Sequence, residues 1–203
     1  MSVSTQTGRL IALAFDPDVQ TAEDTISQRI LDATLAVAAA SGLRHVTMDE
    51  VARRAHVGRM TVYRRFGGRT ALIDALAVRE CRRCLADIAS AVDPHAEIDE
   101  RLASLFTATV KVIREHPLLE RLARVEPEAL ITELTRDDSA IYPLVHEFLT
   151  ELLTESDVDV DAAVLAELGI RLGASFVLMP ESVLPLDDEE AVRRLLEPLV
   201  AAR

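Results

Sequence analysis

Between residues 47 and 69 the chain gathers side chains that can donate hydrogen bonds to phosphate oxygens or to the edges of bases. Thr47, Thr61 and Tyr63 carry hydroxyls, Arg59, Arg64 and Arg69 carry guanidiniums, and Gly58 stands just before a short helix that begins at Arg59. The start of such a helix exposes free N–H groups and the positive end of its dipole, which suits a phosphate. Donors to phosphate fix register on a duplex, whereas an arginine on guanine O6 and N7, or an apolar side chain on a thymine methyl, reads sequence. Arg59 and Met60, early on that helix, are the best candidates for base edges, and Arg64 suits either role. Each member has a plainer reading. Tyr63 suits half-buried packing, Thr47 a simple helix cap, and Arg44, Arg53, Arg54 and Arg65 ordinary solvated charge. The whole set within one short stretch is harder to dismiss than any one of them.

Such a face needs rigid support, and the surrounding sequence supplies it. A helix is expected from about Ala22 to Ser41, with Ile26, Ile30, Thr34, Val37 and Ala38 on one face and Gly42 as its stop. Thr47-Met48-Asp49-Glu50 reads as a capping box, the Thr47 hydroxyl capping one N–H and Glu50 reaching back to the cap. Behind it Met48, Val51, Ala52 and Ala55 form an apolar stripe on a very short helix. That helix stops at His56-Val57-Gly58, and the next, from Arg59, turns Val62 and Phe66 inward before Gly67-Gly68 ends it. Two short helices joined by a tight turn behind a longer one make a helix-turn-helix.

The stretch Thr47 to Ala52, then Ala55 to Phe66, then Arg69-Thr70-Ala71-Leu72 resembles the N-terminal domain of the TetR family of transcriptional regulators. The similarity covers residues 26–75, about a quarter of the chain. The family often has Ser at the position of Gly58 and Lys at that of Arg69; Arg69 keeps the charge and is placed like the family's basic backbone clamp. The resemblance implies an all-α protein. Its three-helix DNA-binding domain would occupy residues 23–75, behind an N-terminal arm (1–22), and residues 76–203 would form a helical ligand-binding and dimerisation domain. It further implies a homodimer joined through the last two long helices, a pseudo-palindromic double-stranded DNA operator, a small-molecule effector, and repression more readily than activation.

Composition agrees with a helical regulator. Over 203 residues the apolar share is 49% and the aromatic share 3%, with no Trp, which favours aliphatic helix packing over a β-sandwich. The net charge of −12 is unevenly spread. Residues 25–83 carry eleven Arg against five acids, a surplus of +6, while the chain from residue 84 onward carries −15. One end can approach phosphates and the other is repelled by them. Further helices are expected near 70–91, 96–115, 118–124, 128–135, 140–155, 160–178 and 188–201. Their breaks fall at Asp93-Pro94, His116-Pro117, Glu126-Pro127, Asp137-Asp138, residues 157–159, Pro180 and Pro185. Gly169, Gly173, Ala174 and Ser175 would permit close helix approach at a dimer interface.

Phe106, Val110, Ile113, Tyr142, His146, Phe148 and Phe176 mix apolar bulk with a few polar tips, as an effector pocket needs, though plain core suits each of them too. Cys81 and Cys84 lie one turn apart on a helix and read as small apolar residues rather than a redox or metal site. The chain shows no phosphate loop, nucleophile motif or clustered acid–base set, so catalysis is not expected, nor is a cofactor or metal. No run approaches a membrane span, and a cytoplasmic location is expected. An adaptor that presents its Arg-rich end to an acidic protein is the other reading.

Overall fold

A computed structural model of the chain describes residues 25–93, 95–136, 139–154, 161–179, 186 and 188–200. The expected arm at residues 1–22 lies outside them, as do Pro94, Asp137, Asp138, residues 157–159, Pro180 and Pro185. The described residues form ten α-helices and no strand: α1 (Thr25–Ser41), α2 (Met48–Arg54), α3 (Arg59–Phe66), α4 (Arg69–Ala91), α5 (Ile98–Glu115), α6 (Pro117–Val125), α7 (Pro127–Thr135), α8 (Ile141–Thr154), α9 (Ala162–Leu178) and α10 (Glu189–Val200). A 3-10 turn, Leu43–His45, joins α1 to α2. Apolar spacing and the breaks between segments thus placed the described helix ends within about two residues, while the expected start of α1 near Ala22 lies outside the described residues.

Two apolar cores stack along the long helix α4. The first takes Ile30, Leu31, Val37 and Ala38 from α1, Met48, Val51 and Ala52 from α2, Val62 from α3, and Leu72 and Leu76 from α4. Ile30, Ala38, Val46, Val51, Val62 and Leu72 have no exposed surface at all. Burying each Val, Leu or Ile there contributes about 1.5–3 kcal/mol, which is how two helices too short to persist alone are held. Leu118 and Leu122 of α6 enter the same core, so the acidic half of the chain helps to build the basic half.

The second core joins Leu85 and Ile88 of α4, Ala108 of α5, and Phe148 and Leu152 of α8, with Val92 at the end of α4. Around it α8 lies along α9, and α10 lies along α5. Between the cores a buried ionic cluster ties three elements together. Arg79 donates to Asp32 on α1 at 2.8 Å and, through Nε, to Glu80 at 2.7 Å. Glu80 also accepts from Arg83 at 3.3 Å and lies 3.2 Å from His116 Nε2. His116 is the N-cap of α6, its Nδ1 accepting from the Leu119 N–H, so its ring proton belongs on Nε2, facing Glu80.

Candidate nucleic-acid interface

The two short helices are set by local contacts. Thr47, in an extended conformation, caps α2 by accepting from the Glu50 N–H at 3.2 Å. Only that half of the expected capping box forms. The Glu50 carboxylate turns instead to Arg53, at 3.1 and 2.5 Å, because a guanidinium one turn away on the same face offers a charged, two-pronged partner. The same bond holds the Glu50 carboxyl below its usual range. At the other end of α2, His56 adopts a positive φ of 53°, and Arg29 of α1 donates to the Ala55 carbonyl at 2.6 Å. Arg29 is therefore a residue that orders the turn. Its partner lies 26 positions on, so no short-range pattern points to it.

Gly58 is the N-cap of α3 and supplies no side-chain acceptor. A Cβ built there would meet only Thr61 Oγ1, at 3.7 Å, so the geometry tolerates a larger residue. Val62 is buried and Phe66 half-buried against the first core, as their spacing implied. Met60 and Arg64 lie on the face away from them and Arg59 at the open start of the helix, all exposed, with Met60 76% exposed. A large thioether side chain held in water on a rigid two-turn helix has no packing role in the isolated chain.

Thr61 and Tyr63 are half-buried. The Arg59 guanidinium lies over the Tyr63 ring, 5.3 Å from its centroid, and reaches the Tyr63 hydroxyl at 3.4 Å. The same guanidinium pairs with Asp49 of α2 at 3.1 Å. Arg69 has a different setting. Its Nε and Nη2 donate to the carbonyls of Val46 and Leu43, at 2.7 and 2.6 Å, so it pins the link between α1 and α2 to the start of α4. Of the residues flagged as ordinary surface charge, Arg65 reaches Ser27 at 3.0 Å and Arg44 pairs with Glu128 of α7.

An exposed, electropositive face on a two-helix unit braced by a third helix is the geometry of a DNA reading head. Residues 30–76 match the sequence model of the bacterial regulatory proteins of the tetR family. That segment therefore carries the sequence signature of a TetR-family N-terminal domain. An uncharacterized HTH-type transcriptional regulator of Mycobacterium tuberculosis is 28% identical over 154 residues, 76% of this chain and 75% of the relative. The HTH-type regulator AlkX of the same organism is 26% identical over 175 residues, 81% of this chain and 80% of its own. Among solved structures, the TetR family repressor AlkX from Dietzia sp. superposes with a TM-score of 0.63 at 23% identity, covering 86% of this chain and 95% of that one. The fatty acid degradation regulator FadR from Bacillus halodurans gives 0.64 at 19% identity, with the same coverage. The described residues share the all-helical fold of these solved TetR-family structures.

In the second half of the chain the seven residues singled out for an effector fall into separate places. Phe106 and Phe176 meet edge to face with centroids 5.0 Å apart. Tyr142 stacks on His146 at 5.9 Å and donates to Glu167. Phe148 is buried in the second core, Val110 is buried, and Ile113 is half-buried. A small cavity of about 10 Å³ lies elsewhere, against Val92, Ile98, Arg101, Leu105, Leu152 and Leu153. Burial pushes the thiols of Cys81 and Cys84 up to about 12, so neither is a thiolate near neutral pH. Among the described residues no three His, Cys, Asp or Glu side chains are grouped to hold a metal ion, and no helix is long and apolar enough to cross a membrane.

Proposed function

We propose that this chain is a repressor that binds a pseudo-palindromic operator as a homodimer and leaves it when a small molecule enters residues 76–203. The observation that carries the reading is the exposed surface of α3, Arg59 at its start with Met60 and Arg64 on its outer face, on a helix held in place by the buried Val62. Thr47, Thr61, Tyr63 and the start of α3 at Gly58 supply donors for the flanking phosphates. Arg69 serves the same backbone contact indirectly, by fixing the strand of chain that leads into Thr47. Residues 23–75 make up the reading head in this account.

Two copies would meet through α9 and α10. Val164, Leu168 and Leu172, spaced four apart on α9, are 51%, 51% and 56% exposed, and Leu195 on α10 is 45% exposed. A Cβ at Gly173 would meet nothing, so that stretch is open to a close neighbour. A stripe of large apolar residues in water marks an association surface. Two-fold symmetry then sets two α3 helices about one turn of duplex, roughly 34 Å, apart.

The effector enters near Phe106, Val110, Ile113, Tyr142, His146, Phe148 and Phe176. Phe106 is closed against Phe176 and Phe148 is buried, so a guest there must part α5, α8 and α9 and displace α4, which packs on α5 and α8. Because α4 runs unbroken from Arg69 into that region, displacing it shifts the reading heads, with a coupling of about 1–3 kcal/mol. A cytoplasmic setting follows from this role. Selection of bound genomic fragments with the purified chain, followed by footprinting across a salt series, tests the proposal. A symmetric protected site with affinity falling steeply with salt is expected; no protected site at any fragment would overturn it.

A further inference from the structure

We propose that Asp49 is the positioning residue for Arg59, and so a determinant of operator specificity that makes no base contact itself. The inference rests on the DNA reading above and adds to it an acidic residue on the surface that faces the duplex. Asp49 lies in the first turn of α2 and Arg59 is the first residue of α3, so their 3.1 Å contact crosses from one helix of the motif to the other. On its other side the guanidinium is held by the Tyr63 hydroxyl and ring. Three contacts thus fix one group whose side chain remains 56% exposed.

The neighbouring arginines are engaged otherwise. Arg53 pairs with Glu50, Arg65 with Ser27, Arg44 with Glu128, and Arg69 with two backbone carbonyls. Asp49 is the acid aimed at the recognition helix. It is 66% exposed and packs into no core; its place in the first turn of α2 suits the helix dipole, and its carboxylate is turned to Arg59.

Physical chemistry gives the pair an effect on selectivity. A carboxylate beside a phosphate backbone repels every duplex alike, which lowers affinity for wrong and right sequences equally. The guanidinium carries five N–H donors in a fixed fork, so it can keep Asp49 on one edge and offer another to guanine O6 and N7. An arginine already held in that orientation surrenders little rotamer freedom when it meets the base. The repulsion is then offset only where a guanine accepts the presented edge. Asp49 lowers the background and sharpens the contrast.

The test uses the full chain and the operator found by fragment selection, with every base pair varied in turn and a scrambled duplex as the background. Arg59→Ala first identifies the base pair that Arg59 reads. Asp49→Asn is expected to flatten discrimination at that same base pair by about tenfold, within the range of one bidentate contact, and to tighten binding to the scrambled duplex. In the Arg59→Ala background, Asp49→Asn should no longer change the preference at that position. Asp49→Glu, which keeps the charge within reach of Arg59, should retain most of it. A uniform change across all sequences, or an Asp49→Asn effect on preference that persists without Arg59, overturns the proposal. Failure of the wild-type chain to bind any duplex would instead overturn the DNA reading itself, so the two failures are distinguishable.

Discussion

At the scale of single residues, burial decides which chemically able groups are available. Cys81 and Cys84 have the spacing of a redox pair, yet both thiols titrate near 12 because burial disfavours their charged form. Neither should react with a thiol-specific disulfide reagent at pH 8 while the chain is folded, and both should react once it is unfolded in denaturant. Rapid labelling of the native protein would contradict this. Glu80 shows the opposite balance. Burial alone would raise its carboxyl, but the hydrogen bond from His116 and the charges of Arg79 and Arg83 outweigh that and hold it below 4.5. Its folded form therefore binds fewer protons than the unfolded chain just below pH 4.5, and stability rises with pH across that window. The contribution is complete above about 4.5 and is lost as pH falls through the lower folded value. Glu80→Gln should cost about 2–4 kcal/mol at pH 7, since it leaves Arg79 buried with less compensation, and should flatten the slope of stability below pH 4.5. Denaturant melts of both forms between pH 3 and 7 measure it; equal stability at pH 7 would remove the cluster from any structural role.

At the scale of elements, the joint between α1 and α2 is one place where the two halves of the chain meet. Gly42 has φ 95° and ψ 157°, a region almost confined to glycine, and a Cβ there would run into the Glu126 carboxylate. That carboxylate is buried at the end of α6 and accepts from the Leu43 N–H at 3.2 Å. Gly42→Ala should therefore destabilise the chain by about 3 kcal/mol or more, combining backbone strain with the displaced acceptor. Gly67→Ala is the control. Its φ is also positive, at 75°, but a Cβ there meets nothing, so it should cost only the backbone strain, about 1–2 kcal/mol. Equal losses in thermal melts would show that the Glu126 contact contributes nothing. The sequence alone marked Gly42 as a helix stop, and the helices around it were legible because caps and apolar spacing act within one or two turns. The contacts that lock the joint were not legible. Leu43 meets Glu126, Arg69 meets Val46, and Arg29 meets Ala55 across 23 to 83 positions, and no local pattern records which distant side chain will arrive. The same holds at the reading face, where residue type pointed to Arg59 but nothing near it in sequence indicated Asp49.

At the scale of the whole molecule, charge and apolar surface divide the work. The net charge of −12 conceals a basic reading head, and the acidic remainder keeps other faces away from phosphate. That orientation is useful only if two heads are presented together, because one short helix contacts too few base pairs to hold an operator. The apolar stripe on α9 offers the means. Val164, Leu168 and Leu172 are each more than half exposed in the single chain, so replacing them removes only a minor part of its packing. Leu168→Asp with Leu172→Asp should leave the melting temperature of the isolated fold almost unchanged while placing four carboxylates in any α9–α9 interface. Sedimentation should then show monomers for the double variant and dimers for the wild type. Operator affinity should fall by about 10²–10⁴-fold, the advantage of linking two sites that is lost when each head binds alone. Binding to a half-site duplex should stay as it was. A double variant that remains dimeric with full operator affinity would move the interface away from α9, and would leave its exposed leucines without a role.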